Sequence, residues 1–160
     1  DLYGRTKYLG ETYYPHTLTL RTSIIGHELG SAHSLIDWFL SQNGSVNGYT
    51  KAIFSGLPTI MVAHVIRALV ISNPNLSGVY HLSADPISKH DLLLLVRSVY
   101  GKRIEIMPDP ELVIDRSLNS DRFKQATNYV PPPWPSLVKA MHNDHQQHLR
   151  SLEPALERYK

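Results

Sequence analysis

Cysteine is missing from all 160 residues, which excludes disulfides, thiolate metal sites and a cysteine nucleophile together. Excess charge is almost as scarce: 16 Lys and Arg against 14 Asp and Glu leave a formal +2, with a sequence pI near 8.8. Spread along the chain, that excess offers no basic stripe for nucleic acid, which demands clustered Lys and Arg. No apolar run approaches the roughly 20 residues of a bilayer span, so no membrane partner is expected. The first residues lack the charged, apolar, small-residue order of a leader peptide, and the expectation is a soluble, cytoplasmic protein. G-x-G-x-x-G occurs nowhere, so the glycine turn that seats a dinucleotide pyrophosphate is not found in these residues.

What is present suffices for one globular core, with 42% hydrophobic residues in 18.1 kDa. The chain opens on Asp1 and enters a helical pattern at once, which reads as the C-terminal part of something larger. Good helix formers run from Asp1 to about Tyr14, with Leu2, Leu9 and Tyr13 as a stripe to bury and Pro15 as the stop. Leu18 to Ile25 reads as one buried strand closed by Gly26. A second helix is expected from about Ala32 to Gln42, packing Leu35, Ile36, Phe39 and Leu40 and stopped by Asn43-Gly44. The glycine-bearing stretch Gly44 to Gly56 reads as a loop with at most one short strand.

Pro58 and Thr59 open a third helix with Ile66, Leu69 and Val70 toward the core, ended by Asn73-Pro74. Val79 to Ser83 is a short strand. Ser88 with Asp91 three residues on caps a helix that buries Leu92, Leu93, Leu95, Val96 and Val99 and ends at Gly101. Ile104 to Met107 alternates as a strand. Asp109 to Pro133 is polar and irregular apart from a short helix near Asp121 to Gln125. After the stiff Pro131-Pro132-Pro133, a last helix runs from about Pro135 into the His142 region. Strands and helices alternate, so the class is α/β.

Tyr3 and Lys7 stand four apart on the first helix and share a face. A phenol ordinarily titrates near 10, and an ammonium beside it favours the phenolate. The pair therefore suits general acid–base work, with the alternative that a Tyr and a Lys simply share a solvated face. His142, His145 and His148 step by three and spread over one broad helix face, which reads as a polar tail rather than a converging Zn²⁺ site. His81 reads as a hydrogen-bonded core or pocket-edge histidine, and Trp38 and Trp134 as packing anchors.

Tyr3 to Glu11 (YGRTKYLGE), followed by Leu20 to Gly26 (LRTSIIG), resembles the extended short-chain dehydrogenase/reductases, in particular their dTDP-4-dehydrorhamnose reductase-like branch. Asn47 to Thr59 resembles that branch's substrate-side loop, Gly78 to Ser83 its late core strand, and Asp115 to Phe123 a segment of its substrate domain. The blocks fall in the family's order and span nearly the whole chain. The resemblance implies an α/β fold made of the C-terminal part of a Rossmann-type extended reductase with its small mixed α/β substrate domain. Residues 1–27 would end the NAD(P)-binding domain, 28–160 would be mainly substrate domain, and about 58–84 would return to the Rossmann sheet. It implies catalytic Tyr3 and Lys7, and a cofactor, NAD or NADP, approached by Tyr3, Lys7, Thr22, Ser23, Ile24 and Ile25. A nucleotide-sugar substrate would meet Thr50, Lys51, Phe54 and Arg116, with Arg122 a second guanidinium for its diphosphate. The implied reaction is reduction of a nucleotide-linked 4-keto-sugar, with epimerisation or dehydration, or a non-catalytic nucleotide-binding regulatory subunit, as alternatives. Without the glycine turn and the family's upstream Ser or Thr, the chain alone is expected to be inactive. Its uncovered apolar surface would favour a homo-oligomer or partner chain.

Overall fold

The computed structural model describes residues 1–28 and 33–157, and side chains as far as Arg150; Ala32, where the second helix was expected to begin, lies outside the described residues. Helix α1 (Leu2–Leu9) is capped by Asp1, whose carboxylate accepts the Gly4 N–H at 2.7 Å, and it ends at Gly10. It ends five residues earlier than its composition suggests and buries nothing. Leu2, Leu9 and Tyr13, the expected stripe, are 78, 80 and 62% exposed.

The run from Leu18 to Ile25 is two strands rather than one. β1 (Leu18–Arg21) pairs in parallel with β6 (Gly78–His81), whereas β2 (Ile24–Ile25) pairs in parallel with β5 (Leu57–Pro58). The change of partner occurs at Thr22-Ser23, where the Arg21 carbonyl still accepts from Leu82 and the Ser23 carbonyl already accepts from Leu57, each at 2.9 Å. Gly56 makes this switch feasible: a Cβ there would overlap the Ser23 carbonyl oxygen and the Phe54 ring.

The glycine-bearing stretch after Gly44 is also sheet, correcting the expected loop. β3 (Ser45–Tyr49) lies parallel to β8 (Glu105–Asp109) in register Ser45↔Glu105 through Tyr49↔Asp109. β4 (Ala52–Phe54) is the centre of a three-stranded sheet, antiparallel to β7 (Ile87–Ser88) and parallel to β9 (Ile114–Asp115). These strands escape a pattern search because Gly48 must be glycine: Ile106 and His90 leave its Cβ no room. β9 likewise falls within the segment expected to be irregular.

Helix α2 (Leu35–Ser41) is capped by Ser34 and buries Ile36 and Phe39 completely. Helix α3 (Thr59–Val65) continues into a π-helical turn at Ile66–Val70, in which Ile71 N–H bonds the Ile66 carbonyl. That turn shifts the face: Val62 and Val65 are buried, while Ile66, expected inward, is 39% exposed. Helix α4 (Lys89–Val99) starts on the Ser88 cap and buries Leu92, Leu93 and Val96. Helix α5 (Asp121–Thr127) packs Phe123 edge-on to Tyr80. Helix α6 (Trp134–Glu157) is far longer than the composition suggests and buries Trp134, Leu137, Val138 and Met141 at helical spacing. Side chains from all four sheets and from α2 to α6 join one core, with α4 between the β3–β8 pair and α6. No helix among the described residues is long and apolar enough to cross a membrane.

A polar network fastens α6 to the rest. His27, just past β2, directs Nδ1–H to the Asp37 carboxylate and accepts the Tyr100 hydroxyl on Nε2 at 3.0 Å. Its ring lies face to face with His145 of α6, centroids 3.6 Å apart, and Tyr100 also meets His142 edge-on. Burial would raise the Asp37 carboxyl, but the Glu28 N–H, His27 and the Ser34 hydroxyl outweigh it and hold Asp37 below its usual range. Burial pushes the Tyr100 phenol well above its ordinary range. His145 is held below 6.5, mainly by burial and then by the neighbouring His27, with His142 and His148 acting the same way and Asp37 opposing.

Because folded His145 takes a proton less readily than unfolded His145, its contribution favours the folded state most above about pH 6.5 and declines as pH falls below it. His145→Phe, which keeps the stacking and removes the proton, is expected to flatten that decline in urea midpoints measured from pH 8 to 5. Gly56→Ala is expected to cost about 1–3 kcal/mol in the same titration at neutral pH, since backbone and ring must both move.

Candidate functional site: two hollows sharing one wall

α1 is held by its end rather than by a buried face. Arg21 on β1 grips Glu11 just past the helix with two parallel bonds, Nε to Oε1 at 2.6 Å and Nη2 to Oε2 at 2.7 Å. Tyr13 donates its hydroxyl to Oε2 at 2.6 Å. The Arg21 fork, and then the Tyr13 hydroxyl, lower the Glu11 carboxyl to about 2. This clamp lays α1 alongside the end of β1.

Between them runs a groove of about 1150 Å³, lined by Tyr3, Lys7 and Tyr8 on one side and by Thr19 to Ile24 on the other. Tyr3 is 70% exposed, and the Lys7 ammonium sits 5.5 Å from the centre of its ring. Neither the Tyr3 hydroxyl nor the Lys7 ammonium has a hydrogen-bond partner among the described residues, so both are available to a ligand. Thr22 turns its hydroxyl onto the Ser23 carbonyl at 3.2 Å, and Ile24 stands 56% exposed as an apolar patch on the groove floor.

The strand switch makes a second hollow on the other side of the same backbone. This cavity, of about 610 Å³, is bounded by Ser23 to Glu28, Ser34, Leu35 and Thr59 on one wall. Its other wall is Ala52, Ile53 and Phe54 of β4, with Leu112, Ile114 and Arg116 of the β9 segment and Lys89 at the start of α4. Ser23 and Ile24 line both hollows. A ligand in the groove and another in the cavity would therefore meet over these two residues.

The sequence-derived candidates divide accordingly. Tyr3, Lys7, Thr22, Ser23 and Ile24 gather at the groove, and Phe54 and Arg116 at the cavity. Ile25 faces the cavity and the core instead of the groove, being 6% exposed. Thr50 and Lys51 form the turn between β3 and β4 and line neither hollow; Thr50 N–H bonds the Asp109 carbonyl at 2.9 Å, and the Lys51 carbonyl accepts from Ile114. Arg122, exposed on α5, is engaged by the fold itself, donating to the Val79 carbonyl at 3.0 Å and stacking over Tyr80 at 4.6 Å. His81 faces the Asn119 carbonyl at 3.1 Å, and Trp134 donates to the Asp85 carbonyl at 2.7 Å while packing on Phe54.

Lys89, Leu112, Ile114 and His27 were not foreseen. The alternation Leu112-x-Ile114-x-Arg116 was the available signal, since period-two spacing puts all three on one face of a strand. Nothing in the sequence around Lys89 marks it, because it reaches the cavity only through the pairing of β7 with β4.

No protein-family model matches the chain, and neither does any curated protein. Solved structures do. A dTDP-4-dehydrorhamnose reductase from Bacillus anthracis, in complex with NADP, superposes on 90% of this chain with TM-score 0.75 at 15% identity. A hypothetical dTDP-4-dehydrorhamnose reductase from Sulfolobus tokodaii matches 84% of it with TM-score 0.64 at 22% identity. A UDP-N-acetylglucosamine 4-epimerase from Bacillus cereus matches 88% with TM-score 0.63 at 14% identity. The chain thus shares the mixed α/β fold of Rossmann-like extended reductases. It spans about half their length, 55%, 52% and 47% of the three respectively.

The Glu11 clamp favours the folded arrangement fully above about pH 4.5 and loses that contribution as pH falls toward 2, because its folded carboxyl titrates lower than the unfolded one. Glu11→Gln at neutral pH is expected to free α1 in the same way. Chymotrypsin should then cut after the exposed Tyr8 and Tyr13 several-fold faster, with the global urea midpoint nearly unchanged.

Proposed function

We propose that the chain is the acid–base helix and substrate-binding part of an NAD(P)-dependent oxidoreductase that reduces a nucleotide-linked 4-keto-sugar. The observation that carries this reading is the shared wall: the groove holding Tyr3 and Lys7 and the cavity holding Phe54 and Arg116 meet at Ser23 and Ile24. A cofactor in one and a sugar in the other would have their reacting ends adjacent. The likeness in fold to an NADP complex supports the same placement.

The groove fits the nicotinamide end of such a cofactor. Lys7 offers an unpartnered ammonium and Thr22 a hydroxyl for ribose oxygens, and Ile24 an exposed apolar surface for a flat ring. No glycine turn in the chain matches the pyrophosphate, so in this reading the remainder of the cofactor is held by upstream sequence, and residues 1–27 with about 58–84 complete that nucleotide-binding sheet. Bound there, NAD(P)H supplies hydride to the sugar carbonyl. Tyr3 then hands its hydroxyl proton to the developing alkoxide, and the Lys7 ammonium over its ring stabilises the phenolate left behind. Arg116 holds the substrate's phosphate and Phe54 packs against the sugar. The exposed Leu2, Tyr8, Leu9 and Tyr14 around α1 are the surface that the upstream part would cover.

The test joins this chain to a glycine-rich nucleotide-binding half and follows NADPH oxidation driven by a dTDP- or UDP-4-keto-sugar. Tyr3→Phe is expected to lower kcat by about 10²-fold or more, and Lys7→Ala to raise the cofactor KM as well as lower kcat. Conversion of the sugar without net NADPH oxidation would replace reduction by epimerisation, and conversion unaffected by Tyr3→Phe would end the acid–base assignment. The 160-residue chain alone is expected to oxidise no NADPH.

A further inference from the structure

α6 is fastened to the body in two different ways along its length. Trp134, Leu137, Val138 and Met141 are buried in the common core, but beyond Met141 none of its described side chains is. Those later turns meet the body through rings: His142 lies edge-on to Tyr100, and His145 face to face with His27, centroids 3.6 Å apart. His27 itself stands between two hollows. On one side it lines the 610 Å³ cavity. On the other it borders a hollow of about 360 Å³ against α6, together with Gly26, Thr59, Asp144 and His148.

The same ring takes part in fastening the cavity wall. The Asp37 carboxylate accepts from His27 Nδ1, from the Glu28 N–H at 2.8 Å and from the Ser34 hydroxyl at 3.0 Å. His27, Glu28 and Ser34 all line the cavity, so one carboxylate holds three points of its wall. A carboxylate only accepts, so His27 Nδ1 carries the proton and Nε2 accepts the Tyr100 hydroxyl. Both nitrogens are thus engaged, and α6 takes the face of the ring.

A proton on His145 would place a positive charge in this half-buried contact, flat against an imidazole that Asp37 already polarises. Burial first, then His27, with His142 and His148 on the same helix, hold His145 below its ordinary 6.5 against the opposing Asp37. Tyr100 stays a neutral phenol because burial raises it, and Asp37, held low, stays ionised down to pH 5. The remaining acids are Asp144, exposed on α6, and Glu28, which accepts the His33 N–H at 2.8 Å. Once α6 lifts, His145 is an ordinary solvated imidazole. The released state then binds the proton more readily, and it gains population as pH falls below about 6.5.

We propose that the end of α6 is a pH-operated latch on the cavity. Near neutrality His145 seats on His27 and steadies the wall at residues 26–28; in mild acid the turns after Met141 lift and that wall loosens. The hinge is Met141, where packing into the core ends. The latch operates whatever the cavity holds, so it stands or falls apart from the reductase reading.

Amide hydrogen exchange followed by NMR on the 160-residue protein at pH 7.0 and 5.0, each rate divided by that of the same amide in an unstructured chain, tests this. In wild type, the amides of residues 144–150 and the Glu28 amide are expected to lose protection about threefold or more at pH 5.0, while Leu92 to Val96 of α4 keep theirs. His145→Phe, which keeps a flat ring against His27 and takes no proton, should retain protection at both pH values. His145→Gln has no ring and should show the lower, released protection at both. His64→Gln, at an exposed histidine of α3, should leave the wild-type response intact. Wild-type protection that is equal at the two pH values would overturn the latch, as would a His145→Phe protein that loses protection as wild type does. Equal loss in α4 would replace the latch by global unfolding. Release of residues 144–150 with the Glu28 amide unchanged would overturn its hold on the cavity.

Discussion

The approach of Gly56 to the Ser23 carbonyl is the contact on which the rest of this molecule turns. With no side chain at Gly56, Leu57 comes close enough to donate to Ser23, and the chain after Arg21 exchanges β6 for β5 as its neighbour. A continuous strand from Leu18 to Ile25 would have given one surface. The change of partner gives two hollows on either side of a single stretch of backbone. It also brings the Phe54 ring, which packs on the same glycine, into the wall of one of them.

Each hollow is supported differently, and the difference follows from burial. The cavity is built on strands and helices that feed the common core, and its far wall is a three-stranded sheet centred on β4. The groove depends on α1, which contributes nothing to the core and is tied by the Arg21–Glu11–Tyr13 cluster. An element held by charge-assisted bonds at one end is responsive to pH and to substitution in a way that a packed helix is not. The His27 network joins β2, α2, α4 and α6 through polar side chains, with Tyr100 also packed against the core.

Much of this was legible in the residues. The Ser88 cap and the inward Leu92, Leu93 and Val96 follow from helix periodicity and capping, and they are where the periodicity puts them. Tyr3 and Lys7 share a face because they are four apart on a helix, which needs no tertiary information. The errors have one cause. Gly48 and Gly56 look like loop residues, yet both sit where neighbouring groups leave no room for a Cβ. The apolar residues of α1 look like a stripe to bury, yet nothing among the described residues covers them. Arg122 looks like a phosphate ligand, but the Val79 carbonyl and the Tyr80 ring take its guanidinium first.

What the amino-acid sequence determined by itself is local: which segments are helical, where they are capped, and which pairs of side chains leave one face together. These depend on neighbours within a turn or two, and such neighbours are written in order along the chain. Tertiary structure alone decided which distant segments meet. Lys89 and Arg116 are 27 positions apart by number and line one cavity only because β7 and β9 both pair with β4. Ser23 became a wall between two hollows because its carbonyl found Leu57, 34 positions away, rather than a neighbour along β6. Strand pairing is a choice among many near-equal hydrogen-bonding partners, and only the packing of the whole core selects one of them.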